Sequence, residues 1–328
     1  MEMEDYCTNM KRKYQSNLTI DECRKMFIDS QSVKGLSEHT VNLDDSTIQK
    51  FIKYAELTSE DNISVITEVF FKNFLMKLAE TDISLASKNM LLCHLRVFLY
   101  WCMENHYIKP FKIHLMKGQE PKIKFFTDEE VELLLKEPKK DCTFRESRTY
   151  AIVCFIMSTG CRVSTLVNVK MEDLDFKNKT ITYTHLKNKS SVIIPMSNTL
   201  YKVLQKYIKE WDRTDNTYLF CGPNEEKMTT GSVQHSLYWY CEQRGVRPRG
   251  PHSLRHSFAR MYIKSGGDPF SLQHILTHSS MEMTKRYVNL FSDDLRDSLN
   301  SYNPLDNIKV NRSKTVRRSA IQFGLVEV

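Results

Sequence analysis

The sequence lacks the features that direct a chain into or through a membrane. Its longest apolar runs are about eight residues, as in residues 150–157, whereas a membrane-spanning helix needs about 18 or more. No apolar stretch follows the polar N-terminus, so we expect no secretory signal. The nine cysteines include no C-x-x-C pair, which is typical of free thiols in a reducing compartment. The sequence therefore predicts a cytoplasmic protein without a membrane span.

Motifs for nucleotides and metals are absent as well. Neither G-x-x-x-x-G-K-[ST] nor G-x-G-x-x-G occurs, so no loop of the usual kind holds a nucleotide phosphate. His252 and His256 have the spacing of zinc-binding histidines, but Ser253 stands where H-E-x-x-H requires glutamate. The acids within residues 172–175 could bind magnesium, although a solvated turn is the favoured interpretation. We therefore expect neither a cofactor nor a metal.

The composition is that of an ordinary globular protein with a modest basic excess. The 328 residues carry 47 lysines and arginines against 40 acids, a net charge of +7. This length predicts two domains, each large enough to bury a core. Hydrophobic residues make up 41% and charged residues 27% of the chain, which argues against intrinsic disorder. The net charge permits a nucleic-acid partner without establishing one.

The hydrophobic periodicity predicts a mainly α-helical fold with a small antiparallel β-hairpin or sheet. Amphipathic helices are expected near 37–57, 66–79 and 85–106, after a short helix capped by Asp21, and again from Thr127, where Glu130 completes a capping box. Alternating β-formers at 180–185 and 192–194 predict the hairpin. The expected organisation is a flexible N-terminus (1–16), a helical domain (17–116), a linker (117–125), a second domain (126–302) and a tail (303–328).

One stretch of the second domain is dense in groups that bind phosphate. Three arginines, Arg244, Arg247 and Arg249, precede a helix that Pro251 is suited to begin. His252 and Arg255 lie three residues apart on that helix and therefore share a face near its N-terminus, where an anion is favoured. We predict DNA contacts for the three arginines. The alternative is a basic surface helix with core histidines.

Two further segments complete a specific pattern. An arginine follows a glycine turn in T-G-C-R at 159–162, and L-T-H-S-S at 276–280 places Tyr287 nine residues after its histidine. With H-S-L-R-H at 252–256, these segments resemble the T-G-x-R, H-x-L-R-H and L-G-H-x-S boxes of the tyrosine recombinases, the family of phage integrases and Xer-type recombinases. Lys187 lies eight residues before a proline, which matches the family's hairpin lysine. The likeness covers roughly residues 17–300, with a helical core-binding domain preceding the catalytic domain.

The resemblance implies roles for six residues. Arg162 and Arg255 would bind the non-bridging oxygens of a scissile phosphate, where negative charge grows in the transition state. Tyr287 would be the nucleophile. Its phenol is about one part in a thousand ionised at neutral pH, so a base or a cationic field must assist, and His252 is the expected contributor.

The remaining two roles concern the scissile phosphate and the leaving group. His278 would hydrogen-bond the phosphate, and Lys187 would act as general acid toward the departing 5′ oxygen, with Lys189 as the alternative. The product would be a 3′-phosphotyrosyl bond and a free 5′-hydroxyl. Such covalent storage of the phosphodiester bond needs no cofactor.

The resemblance also implies partners. These are double-stranded DNA with an inverted-repeat core site, and three further copies of the chain in a tetramer that exchanges strands through a Holliday junction. Accessory or directionality proteins are further expected partners, and base readout is expected from the first domain in the major groove. The tail after Pro304 is expected to dock on a neighbouring protomer. The N-terminus is too short for an arm-binding domain, so a simple core-site enzyme is expected.

Two positions depart from the family pattern. Thr165 stands where R-x-x-E has an acid, so the support of Arg162 must differ, and Thr277 replaces the glycine of L-G-H. Neither position transfers a proton, so we expect activity to survive. The prediction is a mobile-element integrase or transposase. A chromosome-dimer resolvase of the Xer type, a catalytically idle DNA-binding regulator and a type IB topoisomerase remain as alternatives.

Overall fold

The computed structural model describes residues 18–118, 123–184, 191–211, 217–277, 284, 285 and 287. The chain divides into two compact units, Met1–Lys122 and Ile123–Val328. The predicted flexible N-terminus and the predicted tail lie outside the described residues, as does the centre of the predicted linker.

The first unit is a helical bundle with aromatic residues in its core. Its helices are α1 (Ile20–Val33), α2 (Glu38–Tyr54), α3 (Glu68–Glu80) and α4 (Leu85–Glu104). Phe27, Phe51, Phe74 and Phe98 are almost completely buried, and edge-to-face contacts join Phe27 to Phe98 and Phe51 to Phe74. The predicted cap of α1 was wrong: Thr19 caps the helix and forms a capping box with Glu22, because only a side chain outside the first turn can accept its free N–H groups.

The second unit is built around one buried helix. Its helices are α5 (Asp128–Leu135), α6 (Phe144–Thr159), α7 (Val163–Leu166), α8 (Asn198–Glu210), α9 (Thr230–Gln243), α10 (Pro251–Lys264) and α11 (Pro269–Ile275). Residues 151–156 of α6 are buried on every side, and α5, α8, α9 and α10 all contact this helix. The capping box of Thr127 and Glu130 at α5 is present as predicted.

A three-stranded antiparallel sheet completes the second unit. Strands β1 (Leu174–Asp175), β2 (Thr180–Tyr183) and β3 (Val192–Pro195) lie in the order β1-β2-β3. Tyr183 pairs with Val192 at the end of the hairpin. The sequence predicted β2 and β3 and missed β1, which is only two residues long and carries no alternation. The mainly α fold with a small antiparallel sheet is confirmed.

Three kinds of feature are absent from the described residues. No helix among them is both long and apolar enough to cross a membrane. No cluster of three or more His, Cys, Asp or Glu side chains within this part of the chain is arranged to hold a metal ion. The eight cysteines that it includes are free thiols.

Candidate active site

A glycine turn at the end of α6 begins the site. Gly160 adopts a left-handed backbone with φ of 61°, and its N–H donates to the carbonyl of Ile156. A Cβ atom here would lie 2.4 Å from the Phe258 ring and 2.6 Å from a Leu276 methyl group. Both the conformation and the packing therefore require glycine. The turn sends the chain directly to Arg162, the residue that precedes α7.

Arg255 is buried at the centre of the site and joins two distant segments. Only 3% of its surface is exposed. Its Nη1 donates to the carbonyl of Gly160 at 2.7 Å, and its Nη2 to the carbonyl of Leu276 at 2.9 Å. A guanidinium has five N–H donors, and within the described part of the chain the others have no protein acceptor. Burial, with the positive charge of Arg162, lowers the pKa of Arg255 to about 10, so it stays cationic at neutral pH.

Arg162 reaches the same region from the opposite side. Its Nη1 donates to the Thr277 hydroxyl at 3.1 Å and to the Thr277 carbonyl at 3.3 Å. Thr277 directly follows Leu276, whose carbonyl binds Arg255. The structure therefore brings the two predicted phosphate-binding arginines to consecutive residues at the end of α11.

The predicted nucleophile contacts a histidine for which the sequence predicted no role. The hydroxyl of Tyr287 lies 2.7 Å from Nδ1 of His256, and Tyr287 is 5% exposed. Burial, with the charges of His252 and Arg255, lowers the pKa of His256 to about 4. The imidazole is therefore neutral at neutral pH, and in the tautomer protonated at Nε2 its Nδ1 can accept the phenol proton. His256 is the final histidine of the H-x-L-R-H box and lies one helical turn after His252. This position in the box was the sequence signal that could have identified it as a site residue.

His252 occupies the outer end of the same helix face. It is exposed, and its ring stacks on that of His256 with centroids 5.7 Å apart. Partial desolvation and the charges of Arg255 and Arg162 lower its pKa. The residue predicted to assist Tyr287 therefore contacts His256, whose Nδ1 lies within hydrogen-bond distance of the hydroxyl.

Three of the predicted residues, Lys187, Lys189 and His278, lie outside the described residues. The strand that leads toward the two lysines ends at Tyr183, which is buried. Its pKa is raised well above the ordinary value by burial and by Cys161, and the charge of Arg255 opposes this. This end of β2 therefore lies near Arg255.

The three arginines predicted to contact DNA have different surroundings. Arg244 pairs with Glu146 at 3.2 Å, and Arg249 pairs with Glu130 at 2.7 Å. Arg247 is exposed. Two of the three guanidinium groups are therefore bound to carboxylates of their own unit.

The arrangement combines a phenolic hydroxyl with two cations. Arg162 and Arg255 present guanidinium groups that match two oxygens of a phosphate. Tyr287 presents an oxygen nucleophile within hydrogen-bond distance of a neutral imidazole. These groups suit an attack on a phosphodiester, in which charge accumulates on the non-bridging oxygens.

The chain is similar to a known protein family and to two known recombinases. The model of the phage integrase family matches residues 124–293. Tyrosine recombinase XerA of Pyrococcus furiosus is 28% identical over 281 residues, which cover 84% of this chain and 92% of that protein. Tyrosine recombinase XerC of Thermodesulfovibrio yellowstonii is 28% identical over 284 residues, with coverage of 83% and 92%.

A solved structure has the same fold. The Tn1549 transposon integrase, in complex with a circular intermediate DNA, superposes with a TM-score of 0.67 at 20% identity and covers 82% of this chain and 95% of that one. The family match extends over more than half of the chain and contains all three boxes. The chain belongs to the phage integrase family and is a tyrosine-type site-specific recombinase.

Proposed function

We propose that this protein cuts and rejoins double-stranded DNA at a specific site through a 3′-phosphotyrosyl intermediate, as the integrase of a mobile element. One observation carries the chemistry: the hydroxyl of Tyr287 is hydrogen-bonded to a neutral His256 next to the buried Arg255. A phenol held in this way is oriented for proton loss, which a nucleophilic tyrosine requires.

In the first step, the Tyr287 oxygen attacks the scissile phosphorus. A bond forms between phosphorus and the phenol oxygen, and the bond from phosphorus to the 5′ oxygen breaks. The phenol proton passes to His256, and the departing 5′ oxygen takes a proton from Lys187. Arg162 and Arg255 bind the non-bridging oxygens throughout, and each donor of this kind is worth about two to three decades in rate.

Binding of DNA makes His256 a better base. Without DNA, the pKa of His256 is depressed by burial and by the charges of His252 and Arg255. A phosphate placed between the arginines brings negative charge to the site, which favours the protonated form of nearby histidines. The substrate itself therefore helps to activate the nucleophile.

Two features support the roles of the residues outside the described part. His278 directly follows Thr277, whose carbonyl and hydroxyl bind Arg162. Lys187 lies in the sequence between β2 and β3, and the last residue of β2 is close enough to Arg255 for its pKa to respond to that charge. We therefore keep His278 as a phosphate ligand and Lys187 as the general acid, with Lys189 as the alternative.

A second DNA end completes the reaction by attacking the phosphotyrosyl bond with its 5′-hydroxyl. We propose a tetramer on two duplexes that passes through a Holliday junction, with accessory or directionality proteins as further partners. The mobile-element role is supported by the fold shared with the Tn1549 transposon integrase. Chromosome-dimer resolution is the second candidate. It is favoured by the similarity to XerA and XerC, since the match covers 92% of each of those proteins.

The function is tested with nicked duplexes that tile the DNA on both sides of the gene, and with sheared DNA of the source organism. The nick lets the short 5′-hydroxyl fragment diffuse away, so that the covalent adduct accumulates. We expect an adduct that survives denaturation, that forms in the presence of a chelator and that is absent in Tyr287→Phe.

The recovered DNA distinguishes the two roles. Adducts at the ends of an element that contains the gene support the integrase, whereas adducts at one chromosomal site remote from the gene support the resolvase. Binding without any adduct, on tiles and genomic DNA alike, would contradict the enzymatic function and favour a DNA-binding regulator. Relaxation of supercoiled DNA without strand exchange would favour a topoisomerase.

A further inference from the structure

Thr277 adopts a backbone conformation that a β-branched residue rarely takes. Its φ is 50°, in the left-handed region, where a branched side chain is strained. Its N–H donates to the carbonyl of His274, which closes the end of α11. Four glycines of the described chain, Gly35, Gly160, Gly245 and Gly266, also have a positive φ, and so do the unbranched residues Glu56, His106, Lys179 and Glu225. A glycine would therefore suit the backbone at Thr277 better than threonine does.

The side chain of Thr277 has a specific partner that glycine could not provide. Its hydroxyl accepts a hydrogen bond from Nη1 of Arg162 at 3.1 Å, and its carbonyl accepts from the same nitrogen at 3.3 Å. A glycine would retain the carbonyl and lose the hydroxyl. The strained residue therefore adds one charge-assisted contact to an arginine of the site.

The second departure from the family pattern is close to the same arginine in the sequence. Thr165 is three residues after Arg162, on the same side of α7, and is buried. Its side chain carries no charge. Within the described part of the chain, no carboxylate pairs with Arg162. Its positive charge consequently contributes to lowering the pKa of His252 and of Arg255.

We propose that Thr277 is a positioning residue that holds the guanidinium of Arg162 toward the scissile phosphate, in place of a carboxylate at position 165. The hydroxyl of Thr277 then compensates for the absence of a carboxylate at Thr165. A hydroxyl orients the guanidinium as a carboxylate would, but it leaves the positive charge undiminished for the phosphate. This inference rests on the proposed strand cleavage.

Four variants separate the hydroxyl from the backbone strain. Thr277→Val keeps the branched side chain and removes the hydroxyl, Thr277→Ser keeps the hydroxyl, and Thr277→Gly removes both hydroxyl and strain. In the double variant Thr165→Glu with Thr277→Gly, a carboxylate replaces the hydroxyl as the partner of Arg162. Glu56→Gly is the matched control. Glu56 belongs to the first unit and has a φ of 56°, so that its replacement by glycine relieves a similar backbone strain at a residue outside the catalytic unit.

The readout is the single-turnover rate of adduct formation on the nicked duplex that gives the strongest wild-type adduct. We expect Thr277→Val and Thr277→Gly to lose about tenfold to hundredfold in rate, while Thr277→Ser and Glu56→Gly stay within about threefold. Thr277→Gly should melt at or above the wild-type temperature, so that its loss is not a loss of folding. The double variant should recover most of the rate.

A neutral phosphate gives a second, independent readout. On a duplex whose scissile phosphate carries a methyl group in place of one non-bridging oxygen, less charge has to be stabilised. The ratio of wild-type to Thr277→Val rates should therefore shrink on this substrate, as it should for Arg162→Ala. A role confined to folding would leave that ratio unchanged.

The outcomes are distinguishable. Wild-type rates in both Thr277→Val and Thr277→Gly would overturn the inference, and so would an unchanged ratio on the methylated duplex. A wild-type protein that binds DNA and forms no adduct would instead contradict the proposed function. If Thr277→Val is poorly folded, Thr277→Gly and the double variant still decide the question.

Discussion

The hydroxyl of Tyr287 and Nδ1 of His256 are 2.7 Å apart, and the two rings meet at 49° with centroids 5.7 Å apart. This contact joins the candidate nucleophile to the helix that carries Arg255. It holds the phenol of a residue that is 5% exposed in one orientation. The consequences of losing this contact can be measured directly.

Replacing His256 with leucine should slow adduct formation by about a hundredfold or more, because the phenol loses both its orientation and its proton acceptor. His256→Gln retains an acceptor oxygen and should lose less. Single-turnover cleavage of the nicked duplex measures both rates, with Tyr287→Phe as the inactive reference. Equal rates in His256→Leu and the wild type would show that another group accepts the proton.

The stability of the second unit should fall in acid because of His256. Its pKa is about 4 in the folded protein and about 6.5 in an unfolded chain, so between these values the unfolded state binds a proton that the folded state does not. The free energy of unfolding should therefore decrease by up to about 2–3 kcal/mol as the pH falls from about 6.5 to 4. Urea unfolding of the wild type and of His256→Gln over this range measures the difference. Parallel curves for the two proteins would contradict the assignment.

Gly160→Ala should be more damaging than Gly245→Ala. Both glycines have a positive φ, of 61° and 65°, but an added Cβ meets Phe258 and Leu276 at the first and nothing within 4 Å at the second. We expect a cost of about 1–2 kcal/mol for the strain at either position and a further 1–3 kcal/mol, approximately, for the overlap at Gly160. Denaturant titration measures the difference, and similar losses at both sites would mean that the packing around Gly160 gives way easily.

The arginines within residues 244–249 should differ in role, some contacting DNA and others stabilising the fold. Arg247→Ala should weaken DNA binding and lower the slope of log affinity against log salt by about one, the effect of one lost phosphate contact. Arg249→Ala should leave the slope unchanged and lower stability instead, because Arg249 supports the Glu130 carboxylate that closes the capping box of α5. Fluorescence anisotropy at several salt concentrations tests both. A reduced slope in Arg249→Ala would show that its ion pair opens on DNA.

The parts of this protein that could be predicted from sequence are those that local chemistry determines. The capping box at Thr127, the start of α10 at Pro251 and the glycine turn at Gly160 each depend on a few neighbouring residues. The hairpin followed from the alternation of β-formers, whereas β1 is held only by its pairing with β2. The boxes of the catalytic domain were recognisable for the same reason, since each is a short motif.

Contacts between distant residues could not be predicted in this way. The bond between His256 and Tyr287 joins residues 31 positions apart, and it depends on how the segment of Tyr287 packs against α10. The carboxylates that pair with Arg244 and Arg249 lie 98 and 119 positions away. Charge alone marked these arginines as DNA ligands, because a sequence does not show which acid will face them. Neither Thr165 nor Thr277, considered separately as a departure from the family pattern, predicted that the Thr277 hydroxyl would be the partner of Arg162.

Each of the two site arginines has an acceptor at the end of α11, a helix of seven residues, and these acceptors belong to the consecutive residues Leu276 and Thr277. Local opening of so short an element costs less free energy than global unfolding. Such an opening would withdraw the Leu276 carbonyl from Arg255 and the Thr277 hydroxyl from Arg162 in a single event. The fraction of molecules ready to cleave is therefore set by this local equilibrium, and activity should decline on warming before the rest of the unit melts.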